Sequence, residues 1–319
     1  MQSAVFRRKF RGASPYKGDL EDMGKVSAFL KRKNVLFSAK RYGIDAMGAM
    51  AQGLFASLLI GTIIKTLGQQ LNVQFLIDAG NFAQQVAGPA MAVSIGAALS
   101  APQLVLYSLI AVGMAANKLG GAGGPLAVYF ITIVASECGK IVSKETKVDI
   151  LVTPAVTILV GVGLSVLCAP TVGAAASSVG DFIKWATNLQ PLLMGILVSV
   201  VVGMALTLPI SSAAICAALS LTGLAGGAAV AGCCAQMVGF AVLSFCENKW
   251  GGLLAQGLGT SMLQMGNIVR NPKIWIPPTL ASMVTGPLST MVFHLENIPA
   301  GSGTVSYTHL RAHETSQDL

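Results

Sequence analysis

The chain has 319 residues, 53% hydrophobic and 11% charged, with 36 glycines and a mean hydropathy of +0.68. Soluble domains carry roughly 25% charged residues, so the composition excludes an ordinary soluble protein, and the lack of alternating strands excludes an outer-membrane barrel. The formal charge of +8 does not mark a nucleic-acid binder: eleven Lys and Arg stand in residues 1–41, while residues 42–303 hold nine basic and eight acidic side chains. An all-α polytopic membrane protein remains, with about eight to ten transmembrane or re-entrant helices. A basic flank before the first apolar run places the N-terminus in the cytoplasm. The six cysteines form no CxxC pair and have no histidine partners, so no metal or cofactor is expected.

In chain order, residues 1–28 read as a basic cytoplasmic segment with Met23 as a second candidate start. Residues 29–303 read as one membrane domain. Phe29–Arg41 is amphipathic and basic, suited to the inner membrane face. Ala46–Ile64 is the first span, and Leu76–Leu99 a second, broken at Gly88-Pro89. Gln103–Ala116 and Pro125–Val142 form a pair about the turn GGAGG. The charged loop SKETKVD at 143–149 then falls in the cytoplasm by both crossing count and charge. Ile150–Leu167 is the fifth span. Thr171–Asn188, with Asp181, Lys184 and Trp185, is polar enough for a separate interfacial or re-entrant helix. Pro191–Leu208 spans up to Pro209. Ser220–Phe245 carries Gly223 and Gly227 at the spacing of close helix contacts. Gly252–Val269 and Ile274–Phe293 are the last two spans. Pro89–Ser100 and Pro209–Ser220 share Pro, Ile and a terminal AALS, a candidate internal repeat. Val305–Thr315 reads VSYTHLRAHET, the translation of a transposase adapter used in sequencing libraries. Residues 304–319 are therefore expected to be adapter sequence joined to a truncated gene, which leaves His294 as the native histidine.

Between Pro209 and Pro278, membrane-grade sequence is interrupted by Gln236, Glu247, Asn248, Gln256, Gln264 and Asn267. Polar side chains there are costly, so they mark a functional-site hypothesis. The stretches FLKRKNVLFSAKRYGIDAMGAMAQGLFASLLIGT, SKETKVDILVTPAVTI, ALTLPISSAAI, AGCCAQMVGFAV, ENKWGGLLAQGLGTSMLQMGNIVRNPKIWIPPTLAS and ENIPAGSG resemble one family. It is the standalone membrane IIC components of the bacterial sugar phosphotransferase system, in the subfamily that includes toxin-regulator membrane proteins. The resemblance covers about residues 29–303, with residues 247–282 the most specific stretch.

The resemblance implies a permease of the bacterial inner membrane that moves a sugar coupled to its phosphorylation. Soluble IIA and IIB proteins would be its partners, and a homodimer its assembly. The phosphorylated residue would lie on the partner, so this chain could not phosphorylate anything alone. Sugar recognition needs paired donors and acceptors. The candidates are Gln236, Glu247, Asn248, Gln264, Asn267, His294, Glu296 and Asn297, with Ser211 and Ser212 lining an unwound stretch after Pro209. Glu247 could also act as base for the attacking hydroxyl. Two other readings stand beside this one: a membrane sensor or regulator, and a secondary carrier not coupled to phosphorylation.

Overall fold

The computed structural model describes residues 25–35, 38–212, 215–216, 219 and 221–297. The first 24 residues and the adapter-like tail lie outside the described residues. Two compact units are present, one up to Phe37 and one from Ser38 onward. In the first, helix α1 (Lys25–Arg32) is amphipathic, and its Arg32 and Lys33 cations lie over the Phe29 ring at 5.1 and 5.7 Å. This is the basic helix expected before the first span, ending nine residues earlier than the amphipathic pattern did.

In the second unit, α2 (Arg41–Leu71) is one 31-residue helix with π-helical turns at Arg41–Asp45 and Phe55–Leu59. Asn72, left-handed at φ 52°, ends it. The chain returns through α3 (Gln74–Gln85) and α4 (Ala87–Ala98), broken at Val86 beside the expected Gly88-Pro89. Glycines set the spacing: a Cβ on Gly61 would stand 3.0 Å from the Gly80 carbonyl, and one on Gly53 2.6 Å from that of Ala90.

Helices α5 (Gln103–Gly120) and α6 (Gly124–Val142) form the expected pair, each packed against the other. Gly121, at φ 51°, supplies the left-handed residue that the turn between them requires. Helix α7 (Asp149–Ala186) lies on both. It corrects the expectation of a separate interfacial helix at Thr171–Asn188, because the helix runs unbroken through Pro170. Small Ala, Gly and Ser residues follow that proline, and Thr171 Oγ1 donates to Cys168 O at 2.6 Å, an added side-chain bond within the same turn. At 1.5 Å per residue its 38 residues reach roughly 57 Å, longer than a hydrocarbon core of ~30 Å.

Of the remaining helices, α8 (Pro191–Thr207), α9 (Gly223–Leu243), α10 (Phe245–Leu254) and α12 (Ile276–Pro287) build a second bundle that meets α7 through α8, while the short α11 (Met265–Arg270) packs on the start of α2. Helices α8, α9 and α12 pack mutually, with α12 continued by a π-helical turn, Leu288–Val292. Gly223, expected in a helix contact, instead begins α9 at φ 60° with nothing near its missing Cβ. Gly232 makes the close approach, directly against the Ser199 carbonyl. Two hydrophobic cores result. One joins α2, α4, α5, α6 and the Met262–Ile268 region, and the other joins the end of α7 to α8 and α9.

The expected span Gly252–Val269 is absent as a straight helix. Lys249 (φ 50°, ψ −149°) kinks α10, a π-helical turn covers Ala255–Gly259, and Thr260 is extended at φ −156°. A 3-10 turn, Ser261–Gln264, then leads into α11. The four glycines between 251 and 259 withhold helix propensity where it is needed. The candidate repeat loses its register at the prolines: Pro89 sits in the first turn of α4, while Pro209 follows α8 in a turn. Part of the second copy lies outside the described residues. All-helical architecture holds: among them there is no strand, only a bridge pairing Gly223 with Asn297.

Candidate functional site

The broken stretch folds three short turns back over the end of α9 and lines an open cavity of about 550 Å³. Its polar lining is Ser244, Glu247, Gln264, Asn267, Arg270, Asn271 and Lys273, set on an apolar floor of Phe240, Leu243, Ile274 and Pro277. Each residue arrives through a specific local device. Ser244 caps α9, and Thr260 accepts from Met262 N at 3.2 Å to start the turn that presents Gln264. Gln264, Asn267 and Arg270 recur every three residues, so they share one face of the helical turns. Asn271, extended at φ −142°, accepts from Lys273 N at 3.3 Å and begins the next turn.

Beneath this lining runs an ordered chain of amides. Asn267 Nδ2 donates to Gln264 Oε1 at 2.8 Å, Gln264 Nε2 to Gln256 Oε1 at 3.0 Å, and Gln256 Nε2 to Ser244 Oγ at 2.9 Å. Ser244 in turn donates to Ala241 O at 3.4 Å. Gln256 and Gln264 are buried, so every link left unmade would be costly. The relay fixes both carboxamides and engages Asn267, an exposed residue, through its Nδ2, leaving its Oδ1 as an acceptor. The Glu247 carboxylate is exposed and in no ion pair. A fixed amide pair with an adjacent carboxylate can bind vicinal hydroxyls and take a proton from one of them.

Of the sequence candidates, Glu247, Gln264 and Asn267 are brought together here. Asn248 is exposed and does not line the cavity. Gln236 is buried on α9, donating to Thr279 Oγ1 of α12 at 3.3 Å, while its Oε1 has no partner. It belongs to a polar seam with Ser199 and Ser282, where Ser199 Oγ donates to Ser282 O at 2.8 Å. Ser211 and Ser212 line a smaller cavity of about 120 Å³ with Thr62 of α2 and Thr260. Ser211 N donates to Ala122 O at 2.8 Å. Thr207 and Ser261, hydrogen-bonded at 2.8 Å, tie the two unwound stretches together.

His294, Glu296 and Asn297 stand elsewhere. His294 and Glu296 are exposed, and the Asn297 backbone pairs with Gly223, the first residue of α9. The 21 residues of α9 put that end about 30 Å from the cavity. These three residues therefore do not join the other candidates in one site.

Sequence reasoning left Ser244, Arg270, Asn271 and Lys273 out of the site, although the three-residue recurrence of 264, 267 and 270 was a usable signal. Glu137 is buried in α6 and paired with Lys140 at 2.7 Å, and Lys140 Nζ donates to Leu99 O at 3.2 Å. The Arg41 guanidinium donates to the same carbonyl, and Tyr129 Oη donates to Tyr42 O at 2.5 Å. This cluster clamps the end of α4 between α2 and α6.

Fold and composition define a polytopic helical membrane protein, with a cavity of polar lining at the end of α9. The family model described as phosphotransferase system, EIIC, matches residues 44–307, and the chain belongs to that family. No curated protein and no solved structure matches it. Membership makes it a membrane component of sugar transport that works with soluble IIA and IIB proteins.

Proposed function

We propose that the chain is the permease of an inner-membrane sugar uptake system and holds its sugar in the cavity at the end of α9 while a soluble partner phosphorylates it. The observation that carries this reading is the convergence of Glu247, Gln264 and Asn267 on one cavity, with the amides oriented by the buried relay. In the transfer, the bond from phosphorus to the partner's donor atom breaks and a bond to the sugar oxygen forms. The hydroxyl proton passes to Glu247.

The cavity's orientation supports a cytoplasmic partner. Gly43 and Ile44, in the first turn of α2, lie against Val269 and Gly266 of α11. Lys140 and the loop at 143–149, with Lys144 and Lys147, close the same end of the first bundle. By the positive-inside rule that end faces the cytoplasm. The smaller cavity at Ser211, Ser212 and Thr260 lies on the other side of the unwound turn Ser261–Gln264. That turn stands between the polar cavity and this mainly apolar one, where the barrier of an alternating carrier would lie.

Uptake of a sugar panel into inside-out and right-side-out vesicles, with and without phosphoenolpyruvate and the soluble components, tests this reading. Uptake should require both additions; uptake indifferent to them would instead support a secondary carrier.

A further inference from the structure

The cavity contains more positive charge than sugar binding uses. Arg270 and Lys273 line it, and neither side chain makes an ion pair or a hydrogen bond. Glu247, the one carboxylate of this lining, forms an ion pair with neither. Cations near the cytoplasmic face commonly only obey the positive-inside rule. These two differ because they face the cavity of the oriented amides, Arg270 one helical turn beyond Asn267.

We infer that Arg270 and Lys273 form a phosphate subsite, so that the cavity binds the phosphate monoester of its polyhydroxylated substrate more tightly than the free alcohol. The inference rests on the proposed sugar site and names the product that the site must hold and release. A phosphate monoester carries nearly two negative charges at neutral pH. Two cations against one carboxylate leave the empty lining at +1. Once Glu247 has taken the hydroxyl proton, the two cations match the dianion. A guanidinium suits this task because it binds phosphate oxygens bidentately. The same chemistry would fit an anionic lipid headgroup, so the test separates the two sources.

The full chain is placed in phosphatidylcholine nanodiscs, and binding is read by thermal protection and by 31P line broadening. The probes are glucose 6-phosphate, fructose 1-phosphate, mannitol 1-phosphate, their free alcohols and inorganic phosphate. At least one ester should bind about tenfold or more tighter than its alcohol. The double variant Arg270→Gln/Lys273→Gln should lose that preference while keeping its unfolding temperature, and Arg270→Lys/Lys273→Arg should keep most of it. The surface variant Lys144→Gln/Lys147→Gln should behave as wild type. Retention of the preference in Arg270→Gln/Lys273→Gln, or no protection by any ester or by inorganic phosphate, overturns the subsite. Loss of ester binding in phosphatidylglycerol nanodiscs assigns the cations to lipid and overturns it too. Ester preference without phosphoenolpyruvate-dependent uptake would leave the subsite standing and sink the coupled-transport reading alone.

Discussion

At the scale of single residues, Glu247 and Gln256 have separable roles. Glu247 touches the cavity and can accept a proton, so Glu247→Gln should lower sugar phosphorylation by about 10²–10⁴-fold while sugar binding changes little. Single-turnover transfer from the phosphorylated soluble partner reads the first, and equilibrium binding the second. Gln256 lies beneath the cavity and acts through Gln264. Gln256→Ala would leave the Gln264 donor unpaired, a cost of about 1–3 kcal/mol, so KM should rise roughly tenfold with kcat nearly kept. Glu247, Gln264 and Asn267 were legible in the sequence because polar groups stand out in apolar surroundings. Gln236 stood out equally, but only the packing of α9 on α12 shows that it faces Thr279 rather than the cavity. Arg270 and Lys273 were not legible as site residues, since a cation between two apolar segments looks the same in a loop as in a cavity wall.

At the scale of elements, helix spacing and helix interruption are the two devices. Gly232 and Gly286 sit against the backbone carbonyls of Ser199 and Gly195. Gly232→Val or Gly286→Val should therefore destabilise the second bundle by at least about 1–3 kcal/mol. Gly163→Ala, where nothing approaches, should stabilise α7 by up to about 1 kcal/mol. Unfolding midpoints of purified protein in detergent would rank the three variants. Lys249 holds a backbone conformation that favours glycine, so Lys249→Gly should raise the midpoint, by about 1 kcal/mol of relieved strain. The breaks after Thr207 and at Val86 were readable from the prolines beside them. The long α7 and the shattered 245–275 stretch were not: proline can sit inside a membrane helix when its neighbours are small, and glycine-rich sequence serves both close helix packing and unwinding. Tertiary context decides between those uses.

At the scale of the whole molecule, the composition defines the class, the basic flank predicts a cytoplasmic N-terminus, and the structure adds which residues share an end. With the exposed Cys246 replaced by Ser, Lys147→Cys should react with an impermeant maleimide only in inside-out vesicles. Asn188→Cys, past the far end of α7, should react only in right-side-out vesicles. The reverse pattern would put the Glu247 cavity on the wrong face for a cytoplasmic phosphoryl donor. The separation of His294–Asn297 from that cavity by the length of α9 could not be read from residue order, because both motifs adjoin span ends.

The central claim is that translocation and phosphorylation are one event at this cavity. The most direct measurement is the chemical form of radiolabelled sugar accumulated in vesicles supplied with phosphoenolpyruvate and the soluble components. Coupled transport predicts label recovered as phosphate ester in the wild type, and a loss of both ester and accumulation in Glu247→Gln. Free sugar accumulating to the same level in both proteins, with phosphoenolpyruvate omitted, would contradict it.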